Sequence, residues 1–382
     1  MRDHAILSAS GAHRWLECTP SARLEEEIDE RASIYAEEGT FMHELAELNL
    51  SLYLERTSKQ EFNKKLQQMR ESEFYTEEIE NAIQAYVDLV IERINEAGSD
   101  ALILLEEQVD FSPWVPEGFG TSDVLIISNN TIEVIDLKGG RGVRVEAQNN
   151  PQMKLYALGA INGFGILYDI EKIRMTIIQP RIDNFSTDEI TVEELLEWGE
   201  QVVKPKAEMA FKGEGEYKAS DHCRFCKVKA TCRARADENM KLIYLDFRPP
   251  PLLTDDEIVD IILKIDELKR WASDVEDYAF NKAVNEGKKW TGLKLVEGRR
   301  SRRYSNEEEV AKRLLDAGYE EDKIFSKSLL NLTKLEKEIG KKEFEKILGS
   351  LIETPPGKLR LVPESDKRPE LKLSAEIDFK EE

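Results

Sequence analysis

Long apolar runs are missing from this sequence. No stretch of about 18 or more consecutive apolar residues occurs among its 382 residues, which excludes a membrane-spanning helix. The first residues, MRDHAILSASGAHRW, also lack the apolar core and small-residue cleavage site of a secretory signal peptide. We therefore expect a cytoplasmic protein with no membrane partner.

Positive charge is scarce as well. The chain has 54 Lys and Arg against 76 Asp and Glu, which gives a formal net charge of −22. Proteins that bind nucleic acid through bulk electrostatics carry a surplus of basic residues, so the composition argues against that class. An acidic chain can still act on nucleic acid if its basic residues line one groove and metal ions screen its carboxylates. Only specific motifs would outweigh the composition.

Cysteine is rare and unevenly placed. Cys223, Cys226 and Cys232 lie within ten residues of one another, whereas Cys18 lies near the N-terminus. Disulfides are rare in a reducing cytoplasm, where grouped thiols more often hold a metal. The spacing leaves three alternatives open: a zinc site in which His222 competes as a ligand, an iron–sulfur cluster held by all four thiolates, or free thiols.

Apolar periodicity predicts a mixed α/β core. Residues 1–100 show mainly helical spacing. Runs rich in Val, Ile and Leu then predict strands near 101–111, 122–128, 131–138 and 172–181, with helices near 151–163 and 191–211. This order of elements is typical of a mixed sheet covered by helices.

A second, mainly helical domain is predicted after a proline-rich linker at 248–251. The predicted domains are residues 1–247 and 252–382. Thr254 and Glu257 form a capping-box pattern that opens a long helix to about residue 286. A strand pair near 290–304 and helices near 306–317 and 333–348 are expected to follow.

Two aspartates and a lysine lie on neighbouring predicted strands. Asp123 is in GTSDVLIIS, and Asp136 and Lys138 share one face of TIEVIDLK because side chains alternate along a strand. A hairpin can bring both aspartates to one side of the sheet, where joint ionisation is disfavoured unless a divalent cation lies between them. Mg²⁺ prefers carboxylates and water, and a lysine beside it can stabilise charge on a phosphate.

Two further features accompany this hairpin. Gln152 and Tyr156 lie one turn apart on one face of the next predicted helix, and His43 lies in GTFMHE on an earlier helix. Each feature alone has an ordinary explanation. A D-x-K pair occurs on many solvated strand faces, a single histidine is more often a core or surface residue, and Gln152 with Tyr156 suits any amphipathic helix. Their joint occurrence indicates a site.

Together the motifs resemble those of RecB-like nucleases of the PD-(D/E)XK superfamily, and they occur in that family's order. The matching segments are G-x-x-x-H ending at His43, GTSD ending at Asp123, IDLK ending at Lys138, and Q-x-x-x-Y from Gln152 to Tyr156. The resemblance implies a restriction-endonuclease-like mixed sheet flanked by helices. The proline of the family motif is absent, since Ser122 and Ile135 precede the two aspartates. That position varies in the family.

The resemblance also implies roles for individual residues. His43, Asp123 and Asp136 would bind Mg²⁺ or Mn²⁺, and Lys138 would assist hydrolysis. Gln152 and Tyr156 would contact nucleic acid or support the site. A glutamate on the preceding strand often joins such sites. Glu106 or Glu107 could match, and Glu106 is favoured.

The cysteine spacing resembles the iron–sulfur staple of AddB-type helicase-nucleases and of CRISPR-adaptation nucleases. One cysteine precedes the core and three follow it, so the resemblance covers about residues 1–240. It implies a [4Fe–4S] cluster held by Cys18, Cys223, Cys226 and Cys232, with zinc as the alternative. Such a group would close a long loop and stabilise the fold, a structural role.

A basic segment at residues 288–304, KKWTGLKLVEGRRSRRY, stands out in this acidic chain. It suggests phosphate contacts, with Trp290 and Tyr304 available for base stacking. The predicted DNA-binding residues are Arg299, Arg300, Arg302 and Arg303. A basic surface hairpin that pairs with acidic helices explains the segment equally well.

The resemblance implies a Mg²⁺- or Mn²⁺-dependent DNA exonuclease of recombination, repair or phage DNA processing. An endonuclease with the same site, and a non-catalytic DNA-binding or scaffolding protein that retains the fold, are the alternatives. The nucleotide-binding motif G-x-x-x-x-G-K-[ST] is absent from the sequence, so unwinding would need a partner. Expected partners besides DNA are a single-strand-binding, annealing or helicase protein.

Overall fold

The computed structural model describes residues 5–26, 28, 34–128, 130–241, 253–296, 307–317, 320, 324–325, 332–348 and 351–352. The chain divides into two compact units. One consists of residues 1–257 and 266–278, and the other of residues 258–265 and 279–382. None of the helices in the described ranges combines the length and apolar character that a bilayer crossing requires.

Helices precede and follow the strands of the first unit. Those before the sheet are α1 (Ala12–Trp15), α2 (Ser21–Glu26), α3 (Ile34–Tyr53), α4 (Lys59–Met69) and α5 (Glu77–Ala97). Those within and after it are α6 (Pro151–Phe164), α7 (Val192–Trp198), α8 (Lys204–Lys212) and α9 (Arg233–Met240). Helix α10 (Asp255–Glu286) contributes residues to both units.

The strands form one five-stranded sheet in the order β1-β2-β3-β4-β5. They are β1 (Leu102–Asp110), β2 (Phe119–Ser128), β3 (Thr131–Leu137), β4 (Lys172–Gln179) and β5 (Asn184–Thr191). Only β3 and β4 pair in parallel, and α6 lies in the crossover between them. The other neighbours are antiparallel. The expected α/β class, with a mixed sheet flanked by helices, is confirmed.

Apolar helix faces cover both sides of the sheet. On one side α1, α6, α7 and α8 pack on Leu125, Val134 and their neighbours. On the other side α3 and α5 pack on Val124, Ile126 and Ile135. The central strands therefore read as nearly continuous apolar runs. Because side chains alternate, Asp123 and Asp136 share the α6 side with Leu125 and Val134.

Two elements differ from the sequence-based predictions. Strand β5 was not expected, because its sequence NFSTDEIT is polar and it pairs only with β4 at the sheet edge. The single helix predicted near 191–211 is interrupted by a π-turn at Gly199–Val203. A Cβ on Gly199 would lie 2.9 Å from Cδ1 of Trp114, so this turn packs tightly against the indole.

Beyond residue 253 the described elements are helical. The predicted capping box is confirmed, with Glu257 N donating to Thr254 Oγ1 at 3.3 Å and Thr254 N donating to Glu257 Oε2 at 2.9 Å. The helix predicted near 306–317 is α11 (Glu307–Asp316). The helix predicted near 333–348 is two helices, α12 (Leu332–Ile339) and α13 (Lys341–Leu348), separated by Gly340 at φ +81°.

The predicted strand pair near 290–304 is wrong where it can be checked, since residues 290–296 contain no strand. Trp290 Nε1 donates to Ala279 O at 3.0 Å, and Lys288 Nζ lies 4.1 Å from the centre of the indole ring. The indole is therefore held against α10 with a cation on its ring. Arg299, Arg300, Arg302, Arg303 and Tyr304 lie outside the described residues, as does the linker at 248–251.

Candidate active site and cysteine pocket

Three carboxylates lie in a row across three neighbouring strands. The pairs Leu105–Val124 and Glu107–Ser122 of β1 and β2 place Glu106 beside Asp123. Continuing the register of β2 and β3 one residue beyond the pair Val124–Ile135 places Asp123 opposite Asp136. Residues directly opposite each other share a face of the sheet. The sequence-predicted aspartates are thus brought together, and Glu106 joins them. We call His43, Glu106, Asp123, Asp136 and Lys138 the carboxylate site.

Helix α3 brings His43 to this row. Phe41, Met42 and Leu45 of α3 are buried beside the sheet. His43 Nδ1 lies 3.3 Å from Asp123 Oδ1. One ligand atom each of His43, Glu106 and Asp123 lies within 4.8 Å of the others, and among the described residues no other three His, Cys, Asp or Glu side chains meet this condition. These three residues could share one metal ion.

Glu106 has an unusual backbone conformation. Its φ is +48°, in the left-handed region, although it lies in the middle of β1. A non-glycine residue held there costs roughly 1–3 kcal/mol and is found preferentially at functional sites. Glu107 instead pairs regularly with Ser122 in the ladder. The geometry therefore favours Glu106 over Glu107 as the fourth acidic or imidazole group of the site.

Hydrogen bonds join the lysine to the glutamine of α6. Lys138 Nζ lies 2.9 Å from Asp136 Oδ2 and donates to Gln152 Oε1 at 3.0 Å. Gln152 Nε2 in turn donates to Asp136 Oδ1 and to Tyr156 Oη, each at 3.2 Å. A Cβ on Gly120 would lie only 2.9 Å from Tyr156 Cε1, so that glycine makes room for the ring. The amide of Gln152 thus fixes both members of the ion pair.

Burial and the closeness of several carboxylates shift the pKa values of the site residues. Burial, with the charge of Asp123, raises the pKa of Glu106 to about 7. Burial alone would lower the pKa of His43, but its hydrogen bond to Asp123 and the surrounding carboxylates raise it to about 9. Burial also raises the pKa of Asp136 against the opposing effect of Lys138. Burial opposes the charge on Lys138, yet the contact with Asp136 raises its pKa.

The donor set fits a hard divalent cation. Carboxylate oxygens and an imidazole nitrogen converge, and the elevated pKa values of Glu106 and His43 show that negative charge there is under-compensated. Asp136 Oδ2 is buried and has an ion-pair contact but no hydrogen bond of suitable geometry, so it retains a lone pair. Oxygen-rich sites of this kind suit Mg²⁺ or Mn²⁺.

Arg181 contacts the elements that carry the site residues, and this role was not predicted from the sequence. Its guanidinium pairs with Glu38 of α3 at 2.8 Å and Glu78 of α5 at 3.2 Å. It also donates to the carbonyl of Gly139, the residue after Lys138, at 3.0 Å. The side chain is only 6% exposed. One arginine therefore ties the helix that carries His43 to the loop that follows Lys138.

The four cysteines line one small pocket, which we call the cysteine pocket. Its lining also includes Arg14, Ser21 and His222. Cys18 lies in the turn between α1 and α2, and the other three lie between α8 and α9. Bonds across about 200 residues hold the two segments together: Thr19 Oγ1 donates to Glu214 O at 2.6 Å, and Lys227 N donates to Glu25 Oε1 at 2.7 Å.

The thiol sulfurs are not gathered as closely as the ligands of a single bound zinc ion. A tetrahedral zinc with Zn–S bonds of about 2.3 Å brings its sulfurs to about 3.8 Å from one another. No three of the thiol sulfurs, all in described residues, lie within 4.8 Å of one another. Burial raises the pKa of the Cys223 thiol, and that of Cys226 to about 12, so binding of a metal group would release protons.

His222 is not a ligand in this arrangement. Its Nε2 lies 2.8 Å from the carbonyl oxygen of Lys218, which can only accept, so Nε2 carries the proton. Its Nδ1 lies 2.7 Å from Ser220 Oγ and accepts from that hydroxyl. Burial lowers the pKa of the ring, which keeps it neutral. Both nitrogens are engaged, so the option of His222 as a competing zinc ligand finds no support.

The sequence and the fold were compared with protein families and with solved structures. A solved structure described as "Crystal structure of SSO0001" is 16% identical and aligns over 58% of this chain and 96% of that chain, with a TM-score of 0.25. A likeness at that level carries no argument. A family described as "Protein of unknown function (DUF2800)" matches residues 4–369. Because the match covers nearly the whole sequence, the chain belongs to the DUF2800 family.

Proposed function

We propose that this protein is a divalent-metal-dependent DNA nuclease of the RecB-like PD-(D/E)XK class. One observation carries the proposal: His43, Glu106 and Asp123 converge within 4.8 Å, and the ion pair of Asp136 and Lys138 lies on the adjoining strand. Metal ligands beside a half-buried lysine are groups that suit phosphodiester hydrolysis. The restriction-endonuclease-like character of the sheet is part of this proposal.

Each residue of the site has a role in it. His43, Glu106, Asp123 and Asp136 would hold Mg²⁺ or Mn²⁺, which when bound polarises a phosphate and makes water more acidic. Lys138 stays protonated, because the contact with Asp136 raises its pKa, and offers positive charge to the phosphate oxygens. Gln152 holds that ammonium in place through its Oε1 atom. Burial raises the pKa of Tyr156, so its hydroxyl remains neutral beside the DNA.

The cysteine pocket completes the proposal. Cys18, Cys223, Cys226 and Cys232 would hold a [4Fe–4S] cluster with a structural role, joining the start of the first unit to residues 223–232. Support comes from their common pocket and from thiol spacing wider than a zinc site requires. The favoured activity is that of an exonuclease on DNA ends in recombination, repair or phage DNA processing.

A nuclease assay with matched variants tests the carboxylate site. The purified protein is incubated with end-labelled single- and double-stranded DNA and with Mg²⁺ or Mn²⁺ in turn. Glu106→Gln and Asp136→Asn are expected to lower the cleavage rate by at least about 100-fold, because each removes a charge at the metal. Glu107→Gln is the matched control, since Glu107 neighbours Glu106 but pairs regularly in the ladder, and it should retain parental activity.

Other outcomes separate the alternatives. Cleavage of circular single-stranded DNA would identify an endonuclease. DNA binding without cleavage under every metal condition would identify a non-catalytic binding or scaffolding protein. If Asp136→Asn cleaves as fast as the parent, the assigned site is wrong.

A further inference from the structure

Two buried hydrogen-bond donors line the cysteine pocket without a partner. They are Ser21 Oγ and Arg14 Nε, and both side chains line the pocket together with the four cysteines. Ser21 is only 2% exposed, so solvent does not satisfy its hydroxyl. Buried polar groups in proteins are nearly always hydrogen-bonded, and each exception needs an explanation. Two exceptions at one pocket point to an acceptor there.

The surroundings fix both donors in place. Ser21 opens α2, and its backbone N–H donates to Cys18 O at 3.0 Å, which ties its position to that ligand. Arg14 Nη2 pairs with Glu25 at 2.5 Å, and Glu25 also accepts from the backbone N–H of Lys227, the residue after Cys226. One end of the guanidinium is thereby anchored, while Nε remains unpartnered at the pocket.

We propose that Ser21 and Arg14 donate hydrogen bonds to sulfur atoms of the group that the four cysteines hold, and thereby raise its reduction potential. The inference rests on the iron–sulfur part of the proposed function. Thiolate and inorganic sulfide sulfurs accept hydrogen bonds, and such bonds are one of the factors that set the potential of an iron–sulfur cluster. A donor stabilises the reduced state more than the oxidised state, because the reduced state carries one more negative charge.

A chemical distinction makes this inference specific. An iron–sulfur cluster would offer inorganic sulfides as acceptors in addition to the thiolates, and its charge would change on reduction. Zinc offers neither sulfides nor a redox change. A single water bound in the pocket could also satisfy both donors. In that case the donors would have no effect on a potential.

Potentiometry of the anaerobically purified full-length protein tests the proposal. Iron, sulfide and zinc contents are measured first, and the potential is then titrated by visible absorption. Ser21→Ala and Arg14→Lys are each expected to keep the iron and to shift the potential to more negative values. Ser21→Thr keeps the hydroxyl and should restore the parental potential. Ser10→Ala is the matched control, because Ser10 is exposed and does not line the pocket.

Every outcome bears on the proposal. Unchanged potentials in both Ser21→Ala and Arg14→Lys, with iron retained, would contradict it. If Ser21→Ala loses its iron, then Ser21→Thr decides: retention with the parental potential supports the role of the hydroxyl, whereas loss of iron contradicts it. A parent protein that contains zinc and no iron would overturn the inference. The loss of DNA cleavage in Glu106→Gln would be unaffected by that result, so failure of the cluster and failure of the nuclease are distinguishable.

Discussion

At the carboxylate site hydrogen bonds within the protein hold Asp123, Asp136 and Lys138, whereas the cysteine pocket contains two buried donors without a partner. Asp123 accepts from Leu137 N at 2.6 Å, and Gln152 bonds to both Lys138 and Asp136. In the cysteine pocket Ser21 Oγ and Arg14 Nε have no partner, and no three of the thiol sulfurs lie within 4.8 Å of one another. The first site is preorganised by the fold, while the second would be completed by what binds there.

This contrast assigns different tasks to the two regions. Under the proposed function, a site that keeps its geometry without a ligand could exchange its cation during turnover, and its groups would serve chemistry at some cost in stability. A pocket with unsatisfied donors gains stability when it is filled, since binding to the folded state alone shifts the folding equilibrium. Changes in the two regions should therefore affect stability in opposite directions.

Loss of a cysteine should give the largest effect on stability. Cys226→Ser is expected to abolish iron binding and to lower the thermal midpoint of the first unit by roughly 10 °C, because a bound structural metal group contributes directly to folding free energy. Circular dichroism of anaerobic protein, with EDTA present, measures the change without a contribution from Mg²⁺. A midpoint equal to that of the parent would show that the interactions of Glu25 and Thr19 alone hold the two segments together.

Replacement of Arg181 should give an intermediate effect, on catalysis. Arg181→Lys keeps the charge but cannot reach Glu38, Glu78 and the carbonyl of Gly139 together, as the guanidinium does. Lys138 and His43 should then be less well placed, and kcat should fall about 10-fold while KM for DNA changes little. Arg141→Lys is the matched control, since Arg141 pairs with Glu78 on the exposed side. Equal effects of the two variants on kcat would argue against a positioning role for Arg181.

Much of the carboxylate site could be predicted from sequence, because its members obey local periodicities. Asp136 and Lys138 are two residues apart on a strand, and Gln152 and Tyr156 are one turn apart on a helix, so each pair shares a face whatever the tertiary structure. The hairpin between β2 and β3 then brings Asp123 beside Asp136. Strand β5 was not predicted, because a polar edge strand lacks the apolar pattern from which central strands are predicted.

The other features of the two sites depend on contacts between distant parts of the chain, which local sequence patterns do not predict. Adjacent glutamates point to opposite faces of a strand, so the choice of Glu106 over Glu107 requires the register of β1 against β2 and the φ of +48°. Arg181 lies in an ordinary turn after β4, and only the folded chain shows its three partners. The unpartnered state of Ser21 is visible only when the pocket is formed.

Neutralising Glu106 should give the smallest effect on stability, and of the opposite sign to cysteine loss. Burial and Asp123 raise the folded-state pKa of Glu106 from 4.5 to about 7. The folded state therefore holds this proton more tightly than the unfolded state does, and its stability falls as pH rises between these values. Glu106→Gln removes that penalty, so in metal-free protein its thermal midpoint should exceed that of the parent by a few degrees at pH 8 and converge with it near pH 4.5. Differential scanning calorimetry across this range in EDTA, with Glu107→Gln as the control, measures the difference. A variant that is less stable than the parent at pH 8 would show that the charge of Glu106 is compensated within the protein. The carboxylate site would then need no bound cation to stabilise the fold, and it would differ still further from the cysteine pocket, whose donors have no partner within the protein.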